Sequence, residues 1–381
     1  VGVTFLLVVA VNRALRRRGR YASRPEPNLL DWLDLVALGT ICDVVPLTGV
    51  NRALVAQGLK VMRQRRNIGL AALADVAGVE ERLDAYHAGF VLGPRVNAGG
   101  RVGESELGAR LLSSDDPVEA RALALRLDAF NRERRVIEAA VLADAIAQVE
   151  TGGEHGAIVL AAKEGWHAGV IGIVAGRLRE RYNRPVCVVA IEGEIGKGSG
   201  RSVPGVPLGP AIIAARQAGL LINGGGHAMA AGFTVARGGV DALRDFLETQ
   251  LRLAPGAELV PELGIDGMIA PTAASVDLAA TVERLGPFGT GNAEPRFVLA
   301  HARLLHAEPV GATGDHLRLA LGDGTGGVRI RAMLFRAAEN ALGHALMQAR
   351  GTGVHVAGKL RINRWQGREE IQLLVDDAAP A

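Results

Sequence analysis

The feature that most limits the fold of this chain is a change of period at residue 157. AIVLAA (157–162) and PVCVVAI (185–191) are short, unbroken apolar runs. Between them, AGVIGIVAGRLRERY (168–182) repeats its apolar residues at helical spacing. Two fully buried strands joined by a helix predict a βαβ unit with helices covering its sheet. Helices predicted at 209–220 and 239–251 complete an α/β domain of roughly a hundred residues.

The flanking regions have different textures. Residues 1–75 predict helices around one short apolar strand within LDLVALGTICDVVPL (33–47). A long helix is predicted over 117–149. Leu123, Leu127, Phe130, Ile137 and Val141 share one face of it, and Arg121, Arg132, Arg135 and Glu138 lie opposite. It ends at TGGEHG (151–156) and reads as a connector. Beyond 254, ELGIDGMIA, FVLAHARLLHAEPV, HLRLALG, GVRIRAMLF, HVAGKLRIN and EIQLLV alternate as short strands. They predict an all-β module, a barrel by strand count, with a sandwich as the alternative.

Composition adds limits. A length of 381 residues suits two or three domains, and 49% hydrophobic residues suffice for cores. With 43 Lys and Arg against 40 Asp and Glu, net charge is only +3, so any anion binding must come from local clusters. Cys42 and Cys187 lie in apolar runs, as expected in a reducing compartment, and cannot form a metal cluster alone. The opening VGVTFLLVVA is shorter than the about 20 residues that span a bilayer. Its cations, Arg13 and Arg16 to Arg18, follow the run, so it predicts a buried helix with a basic exposed end. These features, with Val1 in place of Met, predict a cytoplasmic protein whose natural start lies upstream, with no membrane partner.

Several segments could carry chemistry. In NGGGHAMAAGF (223–233), three glycines precede His227, which permits positive backbone dihedrals and close ligand approach; a structural turn is the alternative. In GKGSGRS (196–202), Lys197, Ser199 and Arg201 alternate with Gly and would line one side of an extended chain. Arg grips phosphate with two donors, and Ser adds a hydroxyl. GPRVNAGGR (93–101) sets Arg95, Asn97 and Arg101 around a predicted flexible turn, a second candidate anion cradle. Asp43, among Ile41, Cys42, Val44 and Val45, would need a cation, metal or backbone partner if buried. A hard divalent ion would suit it. His167 stands at a helix entrance, where capping or packing is as expected as anion binding. GPFGTGNAEPRF (286–297) has the glycines of a dinucleotide motif, but Pro287 and Pro295 and the lack of a preceding buried strand make it a rigid turn.

ALGTICDVVPL (37–47), RVNAGGR (95–101), GWHAGVIGIVAGRL (165–178), GKGSGRS, GGGHAMAAGF and GPFGTGNAEPRF occur in the order found in bacterial RecJ exonucleases, a branch of the DHH phosphoesterase superfamily. The resemblance covers essentially the whole chain. It implies an α/β multidomain fold: the C-terminal part of a DHH catalytic domain (1–78), a connector with the long helix (79–152), a DHH-associated substrate-binding domain (153–253) and an oligonucleotide-binding (OB-fold-like) barrel (254–381). It further implies a 5′-to-3′ exonuclease of DNA repair and recombination that acts on single-stranded DNA with a 5′ end. Two Mn²⁺ or Mg²⁺ ions would activate water for attack on the phosphodiester. Single-strand-binding protein and a helicase are the implied partners.

Carried over residue by residue, Asp43 matches a metal-binding aspartate and His227 a catalytic and substrate-binding histidine. Asn97 and Arg101 match substrate contacts. Ser199 and Arg201 match a 5′-phosphate clamp, and Gly226 a main-chain donor. The departure is that no Asp-His-His and no N-terminal Asp-x-Asp occurs. With Asp43 as its single metal ligand, this polypeptide is expected to be inactive although its parent is active. Two other readings stay open: a DHH-type phosphoesterase on short oligonucleotides or cyclic dinucleotides, and a non-catalytic nucleic-acid-binding member. On the barrel, Arg318, Arg329, Arg331, Lys359, Arg361 and Arg364 are candidate DNA contacts, with Trp365 a stacking platform.

Overall fold

A computed structural model of the chain describes residues 1–80, 82–152, 156–252, 259–337, 340–365 and 367–381, the side chain of Trp365 excepted. The first part is helical: α1 (Gly2–Arg17), α2 (Leu33–Cys42), α3 (Gly49–Met62), α4 (Ile68–Val76), α5 (Gly93–Val102), α6 (Leu107–Ser113) and α7 (Pro117–Thr151). An α/β segment follows: β1 (Val159–Glu164), α8 (Ile171–Tyr182), β2 (Val186–Glu192), β3 (Ile195–Arg201), α9 (Leu208–Gln217), β4 (Asn223–His227), β5 (Ala230–Ala236) and α10 (Val240–Gln250). The last part holds β6 (Gly267–Ile269), α11 (Val276–Glu283), β7 (Phe297–Val310), β8 (His316–Gly322), β9 (Arg329–Leu334), α12 (Ala341–Gln348), β10 (Gly353–Trp365) and β11 (Arg368–Pro380). The elements group into two compact units, one of residues 65–82 and 89–262, the other of 1–64, 83–88 and 263–381.

The first unit is built on a five-stranded sheet of order β1-β2-β3-β5-β4. β1 and β2 run parallel around α8, as the βαβ pattern predicts, and the remaining neighbours are antiparallel. On one face, α7 and α8 bury Val159, Ala161, Val174, Leu178, Val186 and Val188. On the other, α9 and α10 bury Leu160, Cys187, Val189, Phe233, Ile212 and Leu247. Each buried Val, Leu, Ile or Phe among these contributes about 1.5–3 kcal/mol relative to exposure.

Helix α7 starts where the Asp116 carboxylate accepts from the Val118 amide at 2.8 Å, with Pro117 pre-set for the first turn. Leu123, Leu127 and Val141 are buried and Phe130 and Ile137 half-buried, as their spacing predicts. Glu138 differs from expectation. It turns inward and pairs with Arg134 at 2.6 Å, one turn away. Asn131, buried on the same face, accepts from Arg134 at 3.1 Å.

In the other unit, residues 1–64 contain no strand, a correction to the reading of 33–47. Leu33, Val36, Ala37 and Thr40 fall on one helical face and are buried, so the apolar run is satisfied as α2. A second correction concerns α1. It is a helix, but Val3, Leu6, Leu7 and Val11 are exposed and Phe5 is its one buried apolar residue. Its apolar residues lie on more than one face, and α2 covers only part of them.

The C-terminal strands form a closed five-stranded barrel rather than a sandwich, in the order β7-β8-β9-β11-β10 and back to β7. The long β7 makes closure possible. Its first half pairs with β10 and its second with β8, with a register shift near Leu304/His306. β6 adds to the start of β7 in parallel. Leu299, Leu304, Leu317, Leu319, Leu321, Ile330, Val356 and Leu373 fill the barrel. Among the described residues, no helix is long and apolar enough to cross a membrane.

Candidate functional site

Strand β3 explains its own sequence. Gly196, Gly198 and Gly200 are buried, whereas Lys197, Ser199 and Arg201 face the other way and are partly or fully exposed. A side chain at Gly198 would enter the Phe233 ring, and one at Gly200 would lie 2.6 Å from Leu208 Cδ2. The close approach inferred from these glycines is therefore made by the core and not by a ligand. An aromatic ring over a strand glycine is a known way to fill that position.

The Gly-rich stretch before His227 is likewise a strand where a turn was expected. None of Gly224, Gly225 and Gly226 has a positive φ. They form β4, the edge strand paired to β5. Gly224 and Gly226 are small because Ile212, Leu221, Phe233 and Ala231 crowd them. Gly225 and its partner Gly232 differ: a side chain at either would meet nothing within 4 Å. The hairpin tip is tied down by Ser202 N donating to Met229 O at 2.9 Å and Leu208 N to Ala228 O at 3.0 Å.

Pairing register then assembles a site. Arg201 is opposite Ala230, which is opposite His227; Ser199 is opposite Gly232, which is opposite Gly225. Directly paired residues share a face of the sheet. The result is a shelf with a floor of Gly225, Gly232 and Ala230, edged by Ser199 and Arg201 on one side and exposed His227 on the other.

The start of α8 lies over the Ser199 edge. A β-carbon on Gly172 would be 3.1 Å from Ser199 Oγ and 3.2 Å from an Arg201 terminal nitrogen. Val170 caps this helix without a side-chain bond, and the Ile171 and Gly172 amides have no acceptor among the described residues. Arg201 donates to Gly200 O at 2.8 Å and to Ser199 Oγ at 3.3 Å, and has no carboxylate in ion-pair range among the described residues. Burial pushes its pKa below the usual guanidinium value, since the cation is partly desolvated.

GPRVNAGGR forms helix α5, not the flexible turn expected from its glycines. Pro94 suits its first turn, and Gly99 admits the Glu104 carbonyl. Arg95 is paired to Asp128 at 2.9 Å and is not free to cradle an anion. Asn97 and Arg101 are exposed one turn apart. Arg101 donates to Gly169 O at 3.2 Å, three residues before Gly172. His167 closes this same loop, its Nδ1 accepting from the Gly169 amide at 3.0 Å. Gly225 belongs to the glycine run whose openness to a ligand the sequence implies, whereas nothing in the sequence singles out Gly172 and Gly232. Their signal, a missing side chain, has meaning only once the sheet register is known.

Asp43 belongs to the other unit. It ends α2 and is exposed, so the desolvation argument for a buried partner does not apply. No three His, Cys, Asp or Glu side chains among the described residues converge to hold a metal. The residues present do not fit a two-ion centre.

On the barrel most candidate cations are already paired. Arg318 meets Glu308; Arg331 meets Glu370 at 2.9 Å; Arg361 meets Glu294 at 2.7 Å; Arg364 meets Glu369 at 2.9 Å and Glu283 at 3.2 Å. Arg329 and Lys359 have no such pair among the described residues. The Trp365 side chain lies outside the described residues.

Comparison with known proteins gives two domain matches, the DHHA1 domain at residues 154–253 and the RecJ OB domain at 265–377. The single-stranded-DNA-specific exonuclease RecJ of Dickeya dadantii is 36% identical over 392 residues, covering 100% of this chain and 67% of that protein. The crystal structure of RecJ from Thermus thermophilus in complex with Mn²⁺ matches with a TM-score of 0.78 at 32% identity, covering 96% of this chain and 51% of that one. The Mg²⁺ complex matches with a TM-score of 0.77, 32% identity and 96% and 54% coverage. The chain thus spans about two thirds of the first relative and about half of the crystallised chains.

Proposed function

The chain belongs to the RecJ family, and on that premise we propose that its glycine-floored shelf grips the 5′-terminal phosphate of single-stranded DNA for a 5′-to-3′ exonuclease of repair and recombination. The observation that carries this reading is Arg201, a partly buried guanidinium with no carboxylate in ion-pair range among the described residues, beside Ser199 and the open first turn of α8. A terminal phosphate carries about 1.5–2 negative charges near neutral pH, more than an internal phosphodiester. Arg201 would bind it through two donors, Ser199 through its hydroxyl, and the Ile171 and Gly172 amides through the helix terminus.

His227 would hold the phosphate from the opposite edge. Gly226, on the free strand edge, would offer a main-chain donor. Gly225 and Gly232 leave room for the sugar. Asn97 and Arg101 are proposed as further backbone contacts. Asp43 is proposed as one oxygen donor toward the Mn²⁺ or Mg²⁺ of the family, an ion that supplies water activation when bound. Since the described residues lack the remaining donors, this polypeptide is expected to bind DNA without cleaving it. Single-strand-binding protein and a helicase are proposed partners, and the cytoplasm the proposed location.

The test is binding of single strands that differ only at their ends. Tighter binding of a 5′-phosphorylated strand than of 5′-hydroxyl or 3′-phosphorylated strands is expected. Equal affinity for all three would reject the clamp. Mn²⁺-dependent release of nucleotides by this polypeptide would reject the expectation of inactivity.

A further inference from the structure

The GPFGTGNAEPRF segment has no part in the shelf, yet its contacts are specific. It links α11 to β7 within one compact unit and packs on the loop that follows Asp43. Leu47 is 2% exposed, although its neighbours Pro46 and Thr48 are exposed. Its amide donates to Thr290 O at 2.6 Å. Two glycines make room for this loop. A β-carbon at Gly289 would lie 2.8 Å from Leu47 Cδ1, and one at Gly291 would lie 3.1 Å from Pro46 Cβ and 3.2 Å from Thr48 Cγ2. Gly291 also has a φ of +74°, which disfavours any side chain there. One turn into α3, Arg52 donates to Leu285 O at 2.5 Å.

The segment is itself rigidly held. Gly289 and Asn292 exchange backbone bonds at 2.9 and 3.1 Å, and the Asn292 side chain donates to Pro287 O at 2.9 Å and Leu285 O at 3.1 Å. Glu294, 9% exposed, is fixed to Arg361 of barrel strand β10. At the other end of the contact, Val44 has a φ of +56°. A β-branched residue is a genuine outlier there, and such backbone persists only where its surroundings over-determine it. Val44 directly follows Asp43.

We propose that residues 285–294 are a positioning element that fixes the Asp43 loop, with Leu47 as the plug, Gly289 and Gly291 as its seat and Glu294–Arg361 as the anchor to the barrel. The importance of this element for catalysis rests on the reading of Asp43 as a metal-facing carboxylate. The existence of the clamp does not.

Cys42 is a built-in reporter for the test. It adjoins Asp43, is half-buried, and has its thiol pushed up to about 11, first by burial and then by the Asp43 charge. Cys187 is fully buried in the other unit and serves as the internal control. In Gly291→Ala, labelling of Cys42 by an aromatic disulfide reagent should accelerate by about tenfold or more, and the Leu47 amide should exchange faster by a similar factor. Cys187 labelling and exchange of the Leu319 and Leu321 amides in the barrel should not change. Leu47→Ala should reproduce the effect, and Leu47→Met should restore slow labelling. An unchanged Cys42 rate in Gly291→Ala overturns the proposal. So does a rise shared by Cys187 or the barrel amides, which would mean general destabilisation.

The Asp43 reading is tested separately by Mn²⁺-induced broadening of the Asp43 amide resonance, lost in Asp43→Asn. If that broadening is absent while labelling responds, the clamp stands and the metal role of Asp43 falls.

Discussion

The shelf of the α/β unit and the surface of the barrel both carry arginines, but their charges are in different states. On the barrel, Arg296, Arg318, Arg331, Arg361 and Arg364 each meet a carboxylate. On the shelf, Lys197 and Arg201 have no carboxylate in ion-pair range among the described residues. An anion arriving at the shelf meets an uncompensated cation in a partly desolvated place. One arriving at any of these five barrel arginines must displace an internal carboxylate. Residue counts do not separate these cases, because an arginine's value to a ligand depends on what else it touches.

The largest expected break in this contrast is Arg201→Ala, which should weaken binding of a 5′-phosphorylated single strand by about 1.5–3 kcal/mol, the range for hydrogen bonds to charged groups. Fluorescence anisotropy would measure it, and a loss below twofold would argue that phosphate sits elsewhere.

Next come the two classes of glycine. Gly198→Ala should destabilise the unit by about 1–3 kcal/mol through overpacking against Phe233, read as a fall in the urea midpoint. Gly225→Val should leave the midpoint in place and weaken DNA binding, because its side chain enters open space over the floor. If both variants lost stability alike, the shelf would not be open.

A smaller effect is expected on the barrel. Replacing Arg329 and Lys359 by Ala should reduce the slope of log affinity against log salt by roughly 1 for each phosphate that is no longer neutralised. The smallest effects belong to Arg318→Ala and Arg331→Ala. These exposed, solvent-screened pairs should contribute little to stability and little to the salt slope. A large drop in slope for Arg331→Ala would show that its pair with Glu370 opens for DNA.

Parts of this arrangement are legible in the sequence for physical reasons. The βαβ unit is written in apolar runs and helical spacing. The common orientation of Lys197, Ser199 and Arg201 follows from the period of a strand. The barrel strands alternate visibly.

Other parts are not legible. Gly224–Gly226 form a strand because β5 supplies pairing partners and Phe233 supplies packing, against the low strand preference of glycine. RVNAGGR is helical because Gly99 admits the Glu104 carbonyl and Gly108 of α6 accommodates Val96, close approaches invisible to local propensity. Asp43 is exposed although its neighbours in sequence are apolar, since α2 ends beneath it. The Leu47–Thr290 bond joins residues too far apart in the chain for any local pattern to show.

The shelf can act as a 5′-phosphate clamp only if Arg201 recognises the terminal phosphate itself. A double-mutant cycle tests this directly, with Arg201→Ala as one change and removal of the 5′-phosphate from the same oligonucleotide as the other. Coupling of about 1 kcal/mol or more is expected, so that the phosphate adds little once Arg201 is gone. Additive losses, with the variant still preferring the phosphorylated strand by the full factor, would contradict the assignment.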